Sequence, residues 1–548
     1  MGVCKRQMID QMEEERADSE EALDDIEVYG ERFMCPRCDG KACTKQCFAR
    51  SCFDWCLTHS YPSVEDRDGT ASITVRTITK DGNGQVVDRI EDEQRRYTQN
   101  FAVDHPSIVA HDFNQVLVLL INNMSTTLST LLLSGLTLFG LPADADQTKQ
   151  FEVKPFGIDL SERVPRMLDL IRNTQLPSSE LAAAGESTNE TLSTGIPLHT
   201  LDELKNEWVT DFNWDEEQAS INELHHFTVK IEGIDVHFVH EVSGNPDAIP
   251  IILLHGWPGT FLEMAPLIDL LAPKSQPKGN ASTTTFDIVI PSLPGFGFSS
   301  PPPTKAWGTD DSARVFNTLM TEALGYRRYA VHGTDWGAGV AYSMYDQFNT
   351  TVRAAHLNFL PFGPPTAADV AARNITLSPG ELVSQQRNTD WDAAGNGYFV
   401  EHTTKPNTIG LALYDNPVGQ LAWIGEKFIS WSDPRQGTGQ SLLTHNEILR
   451  EVSLYYLTRS FVSSVYIYFQ NSNGFTQTDY SDVKARTDAP LLYTTFKYNI
   501  GFWPKEYVAS VGNLVSYNFR EFGGHFPGLD NPVGLADDIR DIGKYWAY

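Results

Sequence analysis

Two glycines bracket an acid in Gly333-Thr334-Asp335-Trp336-Gly337, and the flanks of this pentapeptide narrow the architectures open to the chain. Before it, Arg328-Tyr329-Ala330-Val331-His332 reads as a short buried strand; after it, Ala338 to Phe348 reads as a helix that begins with small residues. Strand, tight Gly-flanked turn and helix form the elbow that lifts a nucleophile above the edge of a sheet. The residue at such an elbow is strained, and its neighbours must tolerate close packing. Serine usually stands there and forms an acyl-enzyme, whereas an aspartate attacks carbon and forms an ester. Asp335 therefore moves the expected chemistry from ester or amide cleavage to displacement at an alkyl carbon. The competing reading of the same residues is an Asp N-cap before an ordinary helix.

From about residue 150 onward, strands and helices alternate. Residues 231–240, from Ile231 to His240, alternate with period two and predict one strand. Ile251-Ile252-Leu253-Leu254 is a continuous apolar run of the kind that fills a buried parallel strand, with Pro250 tolerated at its start. It ends in His255-Gly256-Trp257-Pro258-Gly259, and Phe286 to Ile290 predicts a further strand ending in another Gly/Pro-rich loop. This pattern indicates an α/β class sheet with its site along the C-terminal strand edge. At 548 residues the chain can bury a large core, and its net charge of −29 argues against nucleic acid or anionic membrane as partners.

The first 145 residues differ from the rest. Residues 1–123 are acidic and Cys-containing, lack the periodicity of a packed core and are expected to be largely disordered. All seven cysteines fall here: Cys4, Cys35, Cys38, Cys43, Cys47, Cys52 and Cys56. Cys35, Cys38, Cys43 and Cys47 are weak zinc candidates, because no second Cys-x2-Cys knuckle repeats the first. Residues 124–145 hold an apolar stretch ending in Pro142-Ala143-Asp144-Ala145, which is signal-peptide-like. Secretion, or residence in the lumen of the secretory pathway, is expected if translation starts at Met124, and a membrane anchor is the alternative. Membrane contact is expected only through 124–145. N-terminal sequencing of the natural protein separates these readings, since a start near residue 144 or 146 supports secretion. Sequons at Asn189, Asn280, Asn349 and Asn374, with a cysteine-free body, fit a glycoprotein on that route.

Residues 150–548 resemble an epoxide hydrolase of the microsomal type. The resemblance is carried by Val153-Lys154-Pro155-Phe156 through Arg172-Asn173-Thr174-Gln175-Leu176-Pro177, by Trp208 through Trp214 to Asn222, and by the loops above in the same order. It implies an α/β-hydrolase fold with a helical lid and an N-terminal meander domain. The implied division is 150–245 for the N-terminal domain, 246–362 and 476–548 for the two parts of the core, and 363–475 for the lid. It further implies Asp335 as nucleophile, His525 in Phe522-Gly523-Gly524-His525-Phe526 as general base, and Tyr398 and Tyr468 as lid acids. The loop His255, Gly256, Trp257, Pro258 is implied to carry a cis Trp257–Pro258 bond, with the N–H groups of Trp257 and Trp336 as oxyanion donors. A phenol suits the acid role because it stays protonated at neutral pH. The implied partner is a small-molecule epoxide, with no cofactor and no metal in the catalytic body; the oligomeric state is left open.

One position departs from the family. Where an Asp or Glu should orient the base, counting back from His525 gives Asn499. An Asp-to-Asn change in a serine-protease triad costs about 10⁴ in turnover, mostly through the wrong tautomer. Three readings follow: another carboxylate substitutes (Glu506 or Asp530), the enzyme is slow and accumulates its ester, or the chain is an inactive relative that binds epoxides or lipids. A haloalkane dehalogenase is the rival enzyme, since it also uses an Asp elbow followed by Trp. It needs halide-holding donors, however, and not two phenols.

Overall fold

The predicted apolar runs assemble into one nine-stranded sheet. The computed structural model describes residues 151–179, 194–273, 284–439, 441–475, 480 and 483–546, and two short strands, Thr79–Lys80 and Val86–Val87. The chain divides into Met1–Ala143 and Asp144–Tyr548. In the first unit the two short strands pair antiparallel. The zinc candidates, the 124–145 segment, Asn189 and Asn280 lie outside the described residues, whereas Asn349 and Asn374 are exposed.

In the second unit the strands are β1 (Lys154–Pro155), β2 (His226–Ile231), β3 (Ile234–Glu241), β4 (Ile249–Leu254), β5 (Phe286–Pro291), β6 (Tyr329–Gly333), β7 (Val352–Leu357), β8 (Pro490–Tyr498) and β9 (Asn513–Gly524). Their spatial order is β9-β8-β7-β6-β4-β5-β3-β2-β1. Neighbours from β5 through β9 run parallel, while β5–β3, β3–β2 and β2–β1 are antiparallel. The chain leaves β4 to one side for β5 and returns to the other side for β6. The order thus reverses at β4, and a crevice opens beyond the strand ends at such a point. This is the α/β-hydrolase fold.

One sequence expectation needs correction. The run from Ile231 to His240 is not one strand, because Glu232 and Gly233 both take positive φ (49° and 86°) and fold it into a two-residue hairpin between β2 and β3. Two successive positive φ values give the turn twist that matches paired strands. The turn is hidden in the sequence because apolar residues recur on both sides of it, at Ile231 and then at Ile234, Val236 and Phe238. The final strand, β9, runs to Gly524 and delivers His525 directly from its end.

Between β7 and β8 the chain builds helices that include Pro379–Asp390, Gly397–Thr404, Pro406–Leu413, His445–Thr458 and Phe461–Gln470. The first is started by a reciprocal cap, with Ser378 Oγ accepting from the Glu381 amide and the Glu381 carboxylate accepting from the Ser378 amide. The N-terminal helices Val164–Asn173, Leu198–Thr210 and Trp214–Ile221 precede the hairpin. Trp208 is wholly buried and donates its indole N–H to Ser453 Oγ at 2.9 Å, joining this region to a lid helix. Among the described residues no helix is long and apolar enough to cross a membrane.

Candidate active site

β6 ends at Gly333, and Asp335 opens the helix Asp335–Gln347 with φ of 47°. A non-glycine residue held in this region costs about 1–3 kcal/mol, so the surrounding packing must enforce it. It does: a Cβ on Gly337 would lie 2.3 Å from the Leu254 carbonyl oxygen, so the elbow is pressed against the end of β4. The N-cap reading fails, because Thr334 holds the N-cap position and Asp335 already lies inside the helix. Its Oδ1 accepts the backbone N–H of Trp257 at 2.8 Å.

That amide is presented by the loop after β4. His255 Nδ1 lies 3.0 Å from the Gly256 carbonyl and its Nε2 accepts the Leu293 amide at 3.1 Å. Burial lowers the His255 pKa to about 4, so this ring is a neutral brace and not a base. A Cβ at Gly256 would sit 2.2 Å from Asp335 Oδ1, so only glycine lets the loop approach the carboxylate. Trp257–Pro258 is cis. The Trp336 amide, in the first turn of the elbow helix, has no intrahelical acceptor.

His525 leaves β9 with Nε2 3.5 Å from Asp335 Oδ2. Its Nδ1 meets Asn499 Oδ1 at 2.8 Å. The Asn499 amide is oriented on its other side as well. Nδ2 donates to the Asn358 carbonyl at 3.1 Å, and Oδ1 also accepts the Ile500 amide at 2.8 Å. A carbonyl can only accept and an amide N–H can only donate, so a flipped Asn499 would lose both bonds. Oδ1 therefore faces the imidazole and holds its proton on Nδ1, leaving the Nε2 lone pair toward Asp335. Neither carboxylate considered as a substitute reaches the imidazole. Glu506 is exposed on the helix Lys505–Val511. Asp530 accepts the Asp433 amide at 2.7 Å and the Ser441 hydroxyl at 3.1 Å. Among the described residues, Asp335 is the one carboxylate within ion-pairing distance of His525.

Tyr398 and Tyr468 come from two lid helices and are both buried. Tyr398 stacks on Trp257 at 5.3 Å between ring centroids, and Tyr468 stands edge-on to Trp336 at 5.0 Å and to Trp257 at 5.8 Å. The two phenol rings are 5.9 Å apart. Burial, then the Asp335 charge, pushes Tyr398 well above 10; burial, Tyr398 and Asp335 do the same to Tyr468. The Tyr468 hydroxyl has Tyr398 and Trp336 as polar neighbours but makes no hydrogen bond of normal geometry.

Several residues here had no part in the sequence reading. Trp431 accepts the His525 amide at 2.9 Å through its carbonyl and packs its ring 5.0 Å from the imidazole. His402 follows Tyr398 by four residues on one helix, a spacing that places both on one face and was visible in the sequence. Glu263, just after the His255–Gly259 loop, and Glu451 of a lid helix are both buried. Burial, with the Glu451 charge, pushes Glu263 well above the carboxylate range, and burial raises Glu451 to about 8. Nothing in the sequence pairs these two. Among the described residues, no cluster of three or more His, Cys, Asp or Glu is disposed to hold a metal ion.

Residues 153–264 match the family described as epoxide hydrolase N terminus, and residues 249–389 match the alpha/beta hydrolase fold. Epoxide hydrolase 1 of Oryctolagus cuniculus is 30% identical over 413 residues, covering 71% of this chain and 88% of the relative. Juvenile hormone epoxide hydrolase 2 of Ctenocephalides felis is 29% identical over 405 residues, covering 71% and 84%. The solved structure of Aspergillus niger epoxide hydrolase superposes with a TM-score of 0.62 at 30% identity, covering 72% of this chain and 97% of that one. An elbow aspartate beside a histidine, under two buried phenols and on this fold, agrees with those matches, and the chain belongs to the microsomal-type epoxide hydrolases.

Proposed function

We propose that the protein converts an epoxide and water to a vicinal diol in two steps through an ester on Asp335, and that the second step is the slower. In the first step Asp335 Oδ2 attacks a ring carbon. The C–O bond of the epoxide breaks, and Tyr398 or Tyr468 donates a proton to the departing oxygen. Phenols raised above their ordinary pKa hold that proton throughout the neutral range. In the second step His525 Nε2 takes a proton from water, which attacks Cγ of Asp335. Oδ1 then carries the developing negative charge, against the Trp257 amide it already touches at 2.8 Å. As that charge collapses the Cγ–Oδ2 bond breaks, Oδ2 leaves as a hydroxyl of the diol with the proton returned by His525, and the second proton of the water passes from the regenerated carboxyl group to the phenolate.

The observation that carries the uneven pace is the His525–Asn499 contact. The wrong-tautomer penalty does not apply, because the Asn499 amide is oriented to keep the proton on Nδ1. What is missing is a negative charge to stabilise the imidazolium. A hydrogen bond to a charged group contributes about 1.5–3 kcal/mol against about 0.5–1.5 for a neutral one. The expected penalty on ester hydrolysis is therefore nearer tenfold than 10⁴.

Mixing the protein with excess styrene oxide and following intact mass together with diol release tests this. An Asp335 adduct that forms quickly, persists, and still yields diol supports the reading. Adduct without diol leaves a covalent trap, and neither product rejects the reading.

A further inference from the structure

His402 is fully buried, yet one of its ring nitrogens has no partner among the described residues. Its Nε2 lies 3.1 Å from Trp423 Nε1. An indole N–H can only donate, so Nε2 must accept. Burial, reinforced by the nearby Lys427 ammonium, lowers the pKa to about 3, and the ring is neutral. A neutral imidazole that accepts at Nε2 carries its hydrogen on Nδ1, and Nδ1 is the unpartnered atom. Leaving a buried donor unsatisfied costs about 1–3 kcal/mol.

The surroundings of this donor are those of the reaction site. The His402 ring lies 4.7 Å from Trp257, 4.8 Å from Tyr468 and 5.6 Å from Tyr398. Trp257 Nε1 is likewise buried without a partner, and Tyr468 Oη and Trp336 Nε1, polar neighbours of one another, make no hydrogen bond of normal geometry. The catalytic steps above use the Tyr468 hydroxyl but have no task for the imidazole. The polar groups on this aromatic wall are neutral and can all donate. The nearby cation, Lys427, is ion-paired with Glu426. Such a wall suits an uncharged acceptor better than a carboxylate.

We propose that His402 is a specificity-determining residue, donating its Nδ1–H to an acyl oxygen (ester, ketone or amide carbonyl) carried a few bonds from the epoxide ring. The proposal rests on the epoxide-opening reading of the same site. An epoxide bearing that oxygen satisfies the donor, while a hydrocarbon epoxide leaves it orphaned.

The test compares styrene oxide with methyl 3-phenylglycidate, which adds an ester carbonyl beside the ring, in the full-length protein and in His402→Phe and His402→Gln. Loss of one hydrogen bond of ordinary strength predicts that the glycidate-to-styrene-oxide ratio of kcat/KM falls about tenfold in His402→Phe, chiefly through KM. His402→Gln can accept from Trp423 and still donate, so it restores much of the ratio. A ratio unchanged in His402→Phe, or not recovered in His402→Gln, overturns the proposal, because a purely structural histidine would weaken both substrates alike. Wild-type protein that gives neither diol nor Asp335 adduct with styrene oxide overturns the epoxide-opening reading itself.

Discussion

Asn499 and His525 meet at 2.8 Å through Oδ1 and Nδ1, in the orientation a carboxylate would adopt but without its charge. Restoring the charge should speed ester hydrolysis. Asn499→Asp is expected to raise the single-turnover rate of diol release about tenfold, with little change in adduct formation. The new oxygen would face the Asn358 carbonyl where Nδ2 now donates, so part of the gain is offset by about 1 kcal/mol of stability. Quench-flow on both steps and a denaturant melt measure the two effects.

Separating the half-reactions gives a second prediction. His525→Ala should leave alkylation largely intact and trap a stoichiometric ester on the peptide containing Asp335. Asp335→Asn should form no adduct at all. Peptide mass mapping after epoxide treatment reads both, and adduct on any other residue in the wild type would assign the nucleophile elsewhere.

On the proposed route the phenols set the pH behaviour of ring opening. Their pKa values lie above the ordinary 10, so the protonated, donating form persists as the medium becomes alkaline. The alkylation rate should therefore show no tyrosine-dependent fall up to about pH 9.5. Tyr398→Phe and Tyr468→Phe should each slow alkylation, and the double variant by about 10²–10⁴. A falling limb centred well below 10 that vanishes in either variant would contradict this.

Buried Glu451 predicts a stability slope. A glutamate with the ordinary value of 4.5 is raised to about 8 in the fold, so the folded state keeps a proton that the unfolded chain releases. Stability from this group is full below 4.5 and declines as pH rises toward 8. Glu451→Gln should flatten that decline, raising Tm at pH 8 by several degrees with little effect near pH 4.5. Thermal melts across this range decide, and parallel curves for the two proteins would place the proton elsewhere.

Gly337→Ala tests the elbow packing. The added Cβ would fall 2.3 Å from the Leu254 oxygen, and overpacking of this kind costs about 1–3 kcal/mol. Activity should fall more than stability, because any relief moves Asp335 away from the Trp257 amide.

Much of the site could be read in the chain because its parts sit in short segments with fixed chemistry. The Gly-bracketed Asp335, the apolar run before His255 and the position of Asn499 relative to His525 all emerge in space as the spacing suggested. The Glu232–Gly233 hairpin was hidden because apolar residues recur on both sides of it, and only the backbone shows the turn. The direction of the Asn499 amide could not be read either, since it is set by Asn358 and Ile500 through bonds that leave no sequence signature. His402 stood at helical spacing from Tyr398, but its missing partner is a fact of packing. The cysteine knuckle and the 124–145 stretch remain sequence expectations, lying outside the described residues.

The Trp257 amide holds one oxygen of Asp335 and leaves the other toward His525. On the proposed route those two atoms have separate fates. Oδ2 becomes the ester oxygen and departs with the diol, Oδ1 stays behind, and water supplies the replacement. The first diol released by a fresh molecule of protein therefore carries an atom of the protein itself. In isotopically heavy water the label enters the enzyme one turnover before it enters the product.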